Sequence, residues 1–361
     1  MSRFHTPRIA LLAVLALAVG VPAAAAAAPA AAAATTYTIT DLGSLGYGVS
    51  DGYGINANGQ VTGASYTGAT IPTSGCCANC YTNHRTPCVA HIYHAFLYSN
   101  GTMSDLGTLG GNYSQGNAVN LSREVAGWAN TKAGAHDAFL WNGKTMLDLG
   151  ALAPLAGWQS SAAGINDSGQ VVGSWGYNPG SHAWLYSNGT ITDLPEPSYA
   201  TAPGAVGCGA SAINNNGQII GGCRDASSNG HAVLWQNGTV TTLGTIGGLQ
   251  VAAASAINNL GQIAGWAATS TGAADGFLYS NGTMTDLGAN FFPAAINDSG
   301  VIVGGNQIYS GGTLQNLSNL IPAGSPYQIQ YADAINNNGQ IVVGAYDTAT
   351  YQRHALLLSP N

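Results

Sequence analysis

Charge is what this chain has least of. Only 6% of its 361 residues are Asp, Glu, Lys or Arg, and just two are glutamates, Glu124 and Glu196. The eight Lys and Arg residues form no cluster, which excludes a nucleic-acid-binding surface. Such a composition is not that of a charged helical protein. Regularly recurring aliphatics and aromatics also exclude a disordered tail. Long apolar runs are equally scarce. The longest, residues 9–21, is too short for a transmembrane helix, and no later segment could span a bilayer as one. No G-x-S-x-G elbow occurs, so the usual nucleophile of acyl transfer has no place to sit.

The apolar run has another reading. Arg3 and Arg8 precede it, and an Ala/Pro tract follows to Ala34. A basic start, a short apolar stretch and small residues are the pattern of a secretory signal peptide. Residues 1–34 are read as that leader and 35–361 as one domain, secreted and extracellular, with no membrane insertion. Without Arg3 and Arg8 the basic count falls from eight to six, against 15 acidic residues.

What the chain has in abundance is glycine, 51 residues, and repetition. One phrase reads HAFLYSNGTMSDLG from His94 and returns from His182, His231 and Asp275, with a shorter-turned copy from Asp137. The Asn-Gly pair after an alternating apolar run predicts a β-hairpin with a primed turn. One hairpin cannot bury its own faces, so copies must pack on one another. A second phrase, of the type GINDSGQVVG, places Asn at 56, 120, 166, 214, 258, 297 and 336, giving spacings of 64, 46, 48, 44, 39 and 39.

A period near 40–45 residues with four strands per unit predicts an all-β, seven-bladed propeller of four-stranded antiparallel blades. Strand a ends at Ile-Asn, strand b is the Gln-Val-Val-Gly run, strand c is HAFLY and strand d is TMTDLG. A parallel solenoid would have shorter coils, and a sandwich needs no seven similar units. The last unit contains a, b and c only, whereas residues 37–43 read as a lone strand d. These two fragments predict that 37–43 pairs with residues 354–358 and closes the ring.

The phrases HAFLYSNGTMSDLGTLGG from His94 and GINDSGQVVG from Gly164 resemble the extracellular HAF-repeat family, named for its His-Ala-Phe triplet, over nearly the whole domain. The resemblance implies an exported, propeller-like repeat protein and leaves the activity open.

Four recurring histidines, His94, His182, His231 and His354, suggest a metal site at first sight. They occupy one place in different blades, so ring geometry separates them, and they read as polar tethers starting strand c. Asp137 and Asp275 stand at that place in two blades. Asp41, Asp105, Asp148, Asp193 and Asp286, of the DLG phrase, read as acceptors of backbone N–H groups in the turn after strand d. No metal or cofactor is expected.

The b–c and d–a connections vary between blades and emerge on one rim, where binding loops usually lie. The binding candidates there are Trp128, Trp175 and Trp266 after strand b, and Tyr113, Trp158, Gln159, Tyr199 and Tyr327 in d–a loops. Aromatics beside amides suit stacking on sugar rings. They could equally be wedges between blades. Three functions follow: a secreted monomeric module binding carbohydrate or a cell-surface ligand, a polysaccharide lyase, or a matrix protein without a small ligand. A glycosidase would need two carboxylates roughly 5–10 Å apart. Glu196, Asp225 and Asp347 come from different blades with nothing to bring them together. A lyase needs a His or Tyr base and a neutraliser for the uronate such as Arg224 or Arg353.

Residues 66–93 interrupt the repeat with Cys76, Cys77, Cys80 and Cys88, together with His84 and His91. A zinc knuckle is conceivable, but export, adjacency and an even count favour two disulfides of undetermined pairing. Cys208 and Cys223 flank the a–b hairpin of blade four and suit a staple. Thiol titration of the denatured, unreduced protein should therefore find no free thiol. Free thiols together with bound zinc would assign the insertion to the metal instead.

Overall fold

The computed structural model describes residues 35–72, 89–176, 180–247 and 249–361. Cys76, Cys77, Cys80, Cys88 and His84 lie outside them. The described chain builds seven four-stranded antiparallel sheets, arranged in a ring as the blades of a β-propeller. Its single helical turn among these residues is Leu317–Asn319.

Strand c explains why the blades must stack. In blade one Ala95, Phe96, Leu97 and Tyr98 are all buried, the least so at 9% exposure. Phe96 and Tyr98 pack toward blade seven, against Val342, Ala355 and Leu357. Ala95 and Leu97 pack the other way, against Val119, Val125 and Phe139 of blade two. The core is thus a set of layers between blades. Each fully buried aromatic contributes roughly 1.5–3 kcal/mol. The hairpin turns take the conformation that the Asn-Gly pairs require, with φ of 51° and 80° at Asn100 and Gly101 and the same pattern at Asn188-Gly189.

The glycine closing strand b has a steric cause. Strand a carries a β-bulge shortly before its Ile-Asn end in six blades, as between Gly52 and Gly54. The bulge presses strand a onto strand b. A Cβ at Gly63 would land on the Asp51 carbonyl oxygen, and one at Gly127, Gly173, Gly221 or Gly265 would meet the corresponding oxygen in its own blade.

The asparagines of the second phrase form a closed ring. All seven are at most 5% exposed. Each side-chain Nδ2 donates to the backbone carbonyl of the next blade's asparagine, at 2.8–3.2 Å, from Asn56 to Asn120 and finally from Asn336 back to Asn56. In five blades the same Nδ2 also donates to the glutamine four residues on, at 2.7–2.8 Å. Glu124 takes that part for Asn120. Six of the amide oxygens accept the N–H groups two and four residues on, as Asn56 does from Asn58 and Gln60. Only a side chain with both donor and acceptor can close its own turn and reach the next blade.

Ring closure follows the expectation with a shift in register. Tyr37–Asp41 pairs with Arg353–Pro360, Tyr37 facing Pro360 and Asp41 facing Leu356. That is two residues further along than predicted, because Leu42 N–H still bonds the Ala355 carbonyl while strand c runs on to Pro360. The insertion also differs from a plain loop. Its described arms extend strands b and c as Val61–Pro72 and Val89–Ser99, pairing Pro72 with Val89. Cys208 and Cys223 face each other across the a–b hairpin and are disulfide-bonded.

Asn214→Ala would strand two backbone N–H groups, the Gln218 amide oxygen and the Asn258 carbonyl. It should lower unfolding free energy by about 3 kcal/mol in urea titration. Exposed Asn216→Ala, which loses one bond to the Asn259 carbonyl, should change it by less than about 0.5 kcal/mol. Equal effects would mean the ring carries no special stability.

Candidate functional site

Strand a lines the axial channel, so its side chains decide what the channel offers. At the a–b end the Asn ring rims a hollow of about 310 Å³, floored by residues such as Ile55, Val119, Ile165 and Ile213. Above it a second belt runs from Leu121 N–H to Asp167, Asp167 N–H to Asn215, Asn215 N–H to Asn259, Asn259 N–H to Asp298 and Asp298 N–H to Asn337. Burial alone would raise Asp298, but donors from Asn259 and Asn337 outweigh it and hold its carboxyl below the usual range. This end is nearly symmetric, and its side-chain amides are engaged with one another.

The opposite half of the channel is lopsided. Three residues before each ring asparagine stand Tyr53, Asn117, Ala163, Ser211, Ser255, Ala294 and Asp333, all half-buried. Five residues before it, blades three to five carry Ser161, Gly209 and Ala253, whereas blades seven, one and two carry Tyr331, Asp51 and Gln115. The large polar side chains therefore gather at the seam of blades seven, one and two.

A pocket of about 210 Å³ opens there, lined by Asp51, Tyr53, Ala64, Tyr66, Tyr93, Gln115 and Arg353. Asp51 is buried and doubly held. Its Oδ1 accepts the Tyr331 hydroxyl at 2.7 Å, and its Oδ2 faces Arg353 Nη2 at 2.9 Å. Burial, then the charge of Asp51, pushes Tyr53 and Tyr331 well above the usual tyrosine range; for Tyr331 the hydrogen bond to Asp51 adds to this. Asp333 has an enclosed Oδ2 without a hydrogen-bond partner among the described residues. Burial and the nearby Asp51 charge push it up to about 7. Tyr53, Tyr331, Asp333 and Asp51 escaped the sequence reading because they lie in strand a just ahead of the repeated phrases, where no motif marks them. The signal was their departure, position by position, from the Ala, Ser and Gly of blades three to five.

The insertion arms supply the outer wall. Tyr47, His91, Tyr66, Tyr93, Tyr113, Trp128 and His136 make a continuous run of rings with centroids 3.9–6.2 Å apart. Two rim candidates, Tyr113 and Trp128, thus join the pocket's edge through Tyr93. Trp158, 50% exposed, leans on Trp175 at 5.6 Å, and Trp175 stacks on His182 and donates to Asp193. Gln159 is exposed beside Trp158. Tyr199 rests on His231 and meets Thr242, and Tyr327 donates to Asp41. Trp266, half-buried, faces Ala253 and Gly276 across its strands. The eight candidates are spread over several blades and share no single pocket.

The repeat histidines are tethers, each to a carboxylate: His94 to Asp105 at 2.9 Å, His182 to Glu196 at 2.8 Å, His231 to Asp225 at 3.3 Å and His354 to Asp41 at 2.9 Å. Asp41, Asp105 and Asp286 cap the following glycine N–H, and Asp148 caps Ala151. Asp193 departs from that expectation, accepting the Trp175 indole instead. Donors from Asn229, with His231 and Ser227 adding, push Asp225 down to about 2. Among the described residues no three His, Cys, Asp or Glu side chains gather as a metal site, and no helix is long and apolar enough to cross a membrane.

The sequence matches no protein-family model and no curated protein. Solved structures resemble it in fold. The propeller domain of the Trilobed protease from Pyrococcus furiosus aligns at a TM-score of 0.50 and 10% identity, over 86% of this chain and 97% of that domain. TolB from Acinetobacter baumannii aligns at 0.42 and 12%, over 74% of this chain, which spans only 60% of TolB's length. The SapL1 lectin in complex with alpha methyl fucoside aligns at 0.38 and 12%, over 85% and 92%. At these identities the likeness is one of β-propeller fold alone.

Asp333 also makes a stability prediction. The folded state holds its proton up to about pH 7, whereas an unfolded Asp releases it near pH 4. The folded state therefore binds the extra proton between those values, and stability falls as pH rises across that window. Asp333→Asn removes this slope. The mutant's stability relative to wild type should rise by on the order of 3 kcal/mol from about pH 4 to pH 8 in denaturant titrations. A gap that stays constant with pH would mean Asp333 titrates normally.

Proposed function

We propose that this chain is an exported binding propeller of the HAF-repeat type, and that its ligand is a carbohydrate seated at the seam of blades seven, one and two. The observation that carries this reading is the pocket itself. Tyrosine walls from Tyr53, Tyr66 and Tyr93 stand around Asp51, Gln115 and Arg353. Aromatic faces suit the C–H faces of a sugar, and a few fixed polar groups suit its hydroxyls. The volume suits about one sugar ring, with the run from Tyr47 to Trp128 available to neighbouring units. Export rests on the leader pattern and on cysteine use in the insertion.

A lyase reading draws on one observation, the meeting of Tyr331 and Arg353 at Asp51. The electrostatics oppose it. A base needs a phenol made easier to ionise, and burial with nearby carboxylates makes Tyr53 and Tyr331 harder to ionise. Tyr331 moreover spends its proton on Asp51. The arrangement holds a ligand better than it abstracts a proton.

Glycan-array binding followed by titration calorimetry tests the site. Tyr93→Ala should leave the melting temperature within a few degrees and weaken the best glycan about tenfold, on the order of 1–2 kcal/mol for one lost stacking ring. Trp158→Ala, away from the seam, should change neither. Binding that survives Tyr93→Ala and is lost with Trp158→Ala moves the site to the Trp158–Trp175 edge.

A further inference from the structure

Hydrogen-bond capacity at the pocket is unbalanced. Its one carboxylate, Asp51, has an oxygen engaged by Tyr331 and the other by Arg353. The hydroxyls of Tyr53, Tyr66 and Tyr93 have no hydrogen-bond partner among the described residues. Arg353 has a single protein partner there, Asp51, and its side chain is 41% exposed. A guanidinium carries five N–H donors in a planar fork, so several remain for a ligand. Gln115 gives one of its two amide N–H groups to Asn117, which leaves one donor and the amide oxygen. Unspent donors thus outnumber unspent acceptors around the cavity.

We propose that the pocket takes the carboxylate of an acidic sugar, gripped by the Arg353 fork and the tyrosine hydroxyls, with Asp333 carrying a proton when that sugar is seated. This rests on the binding reading above and names the class of saccharide. The Arg353 charge is cancelled by Asp51, so a second anion enters a neutral site only if no further carboxylate is ionised beside it. The groups facing Asp333 are Asp51 and Tyr53 from strand a of blade one and Tyr331 from its own strand, with Arg353 beyond Asp51. None is a cation free to offset an ionised Asp333. An incoming uronate repels the Asp333 charge and draws a proton onto it, so uronate and proton bind together. Binding is full below the free-state titration near pH 7 and declines above it.

The test uses calorimetry on the domain of residues 35–361, with short oligogalacturonates and oligomannuronates and the same oligosaccharides carboxyl-reduced to neutral sugars. The acidic forms should bind at least about tenfold more tightly than the reduced ones. Between about pH 6 and pH 8, where the uronate stays ionised, acidic affinity should fall roughly tenfold. Asp333→Asn should remove that fall and keep the tight binding at the higher pH, a gain that a structural role for Asp333 does not produce. Arg353→Gln should erase the preference for the acidic form. If reduced sugars bind equally well or better, or if Asp333→Asn leaves the pH slope in place, the acidic assignment is overturned while the carbohydrate site stands. If no glycan of either kind binds and the array is blank, both fail.

Discussion

The seven amide hydrogen bonds from one ring asparagine to the next are the constraint on which the molecule depends. Each Asn closes its own a–b turn and donates across the blade boundary, so the turn conformation and the spacing between blades are set by one side chain. The ring is continuous through blade seven, from Asn336 to Asn56, and the same boundary is bridged again where Tyr37–Asp41 completes the last sheet. Cutting the ring at one point leaves a buried carbonyl and several turn groups unpaired, and buried polar groups in that state are expensive. Conservation of this phrase within the chain is therefore a statement about assembly of the ring.

Holding one end of every strand a so uniformly frees the other end to differ. In six blades the bulge that presses strand a against the glycine of strand b falls three residues before the ring asparagine, a position half-buried in all seven. Blades three to six place Ala or Ser there, and blades one, two and seven place Tyr53, Asn117 and Asp333. Small residues on one side leave space, and polar rings and carboxylates on the other side give that space its chemistry. The described arms of the insertion between strands b and c of blade one reach the same seam and carry Tyr66, His91 and Tyr93 to the pocket's outer wall. Two departures from the repeat, one in strand a just ahead of the repeated phrase and one in a long connection, converge on one place.

The fold was legible because its signals are local and repeated. Asn-Gly after HAFLY demands a tight hairpin, seven Ile-Asn phrases count the blades, and the lone strand at residue 37 matches the strand missing after His354. The interblade hydrogen bonds were not legible, since nothing in an Asn shows whether its amide reaches along its own turn or across to a neighbour. The sequence pointed to the rim, a different layer from the seam. Trp158, Trp175 and Tyr199 stand out because they lie in variable loops, yet they rest mainly on the histidines and loops of their own or adjoining blades. Asp51 and Tyr53 were hidden just ahead of a phrase judged structural. Aligning strand a residue by residue exposes them: Tyr53 stands where four blades have Ala or Ser, and Asp51 where blades three to five have Ser161, Gly209 and Ala253.

The central claim is that ligand recognition sits at the blade seven–one–two seam and not on the outer rim. A crystal structure of residues 35–361 soaked with the best-binding glycan tests it most directly. The account predicts saccharide density between Tyr66, Tyr93 and Arg353, within hydrogen-bond distance of that guanidinium. Density confined to the Trp158–Trp175 edge, or lodged in the Asn-rimmed hollow at the other end of the channel, would contradict it.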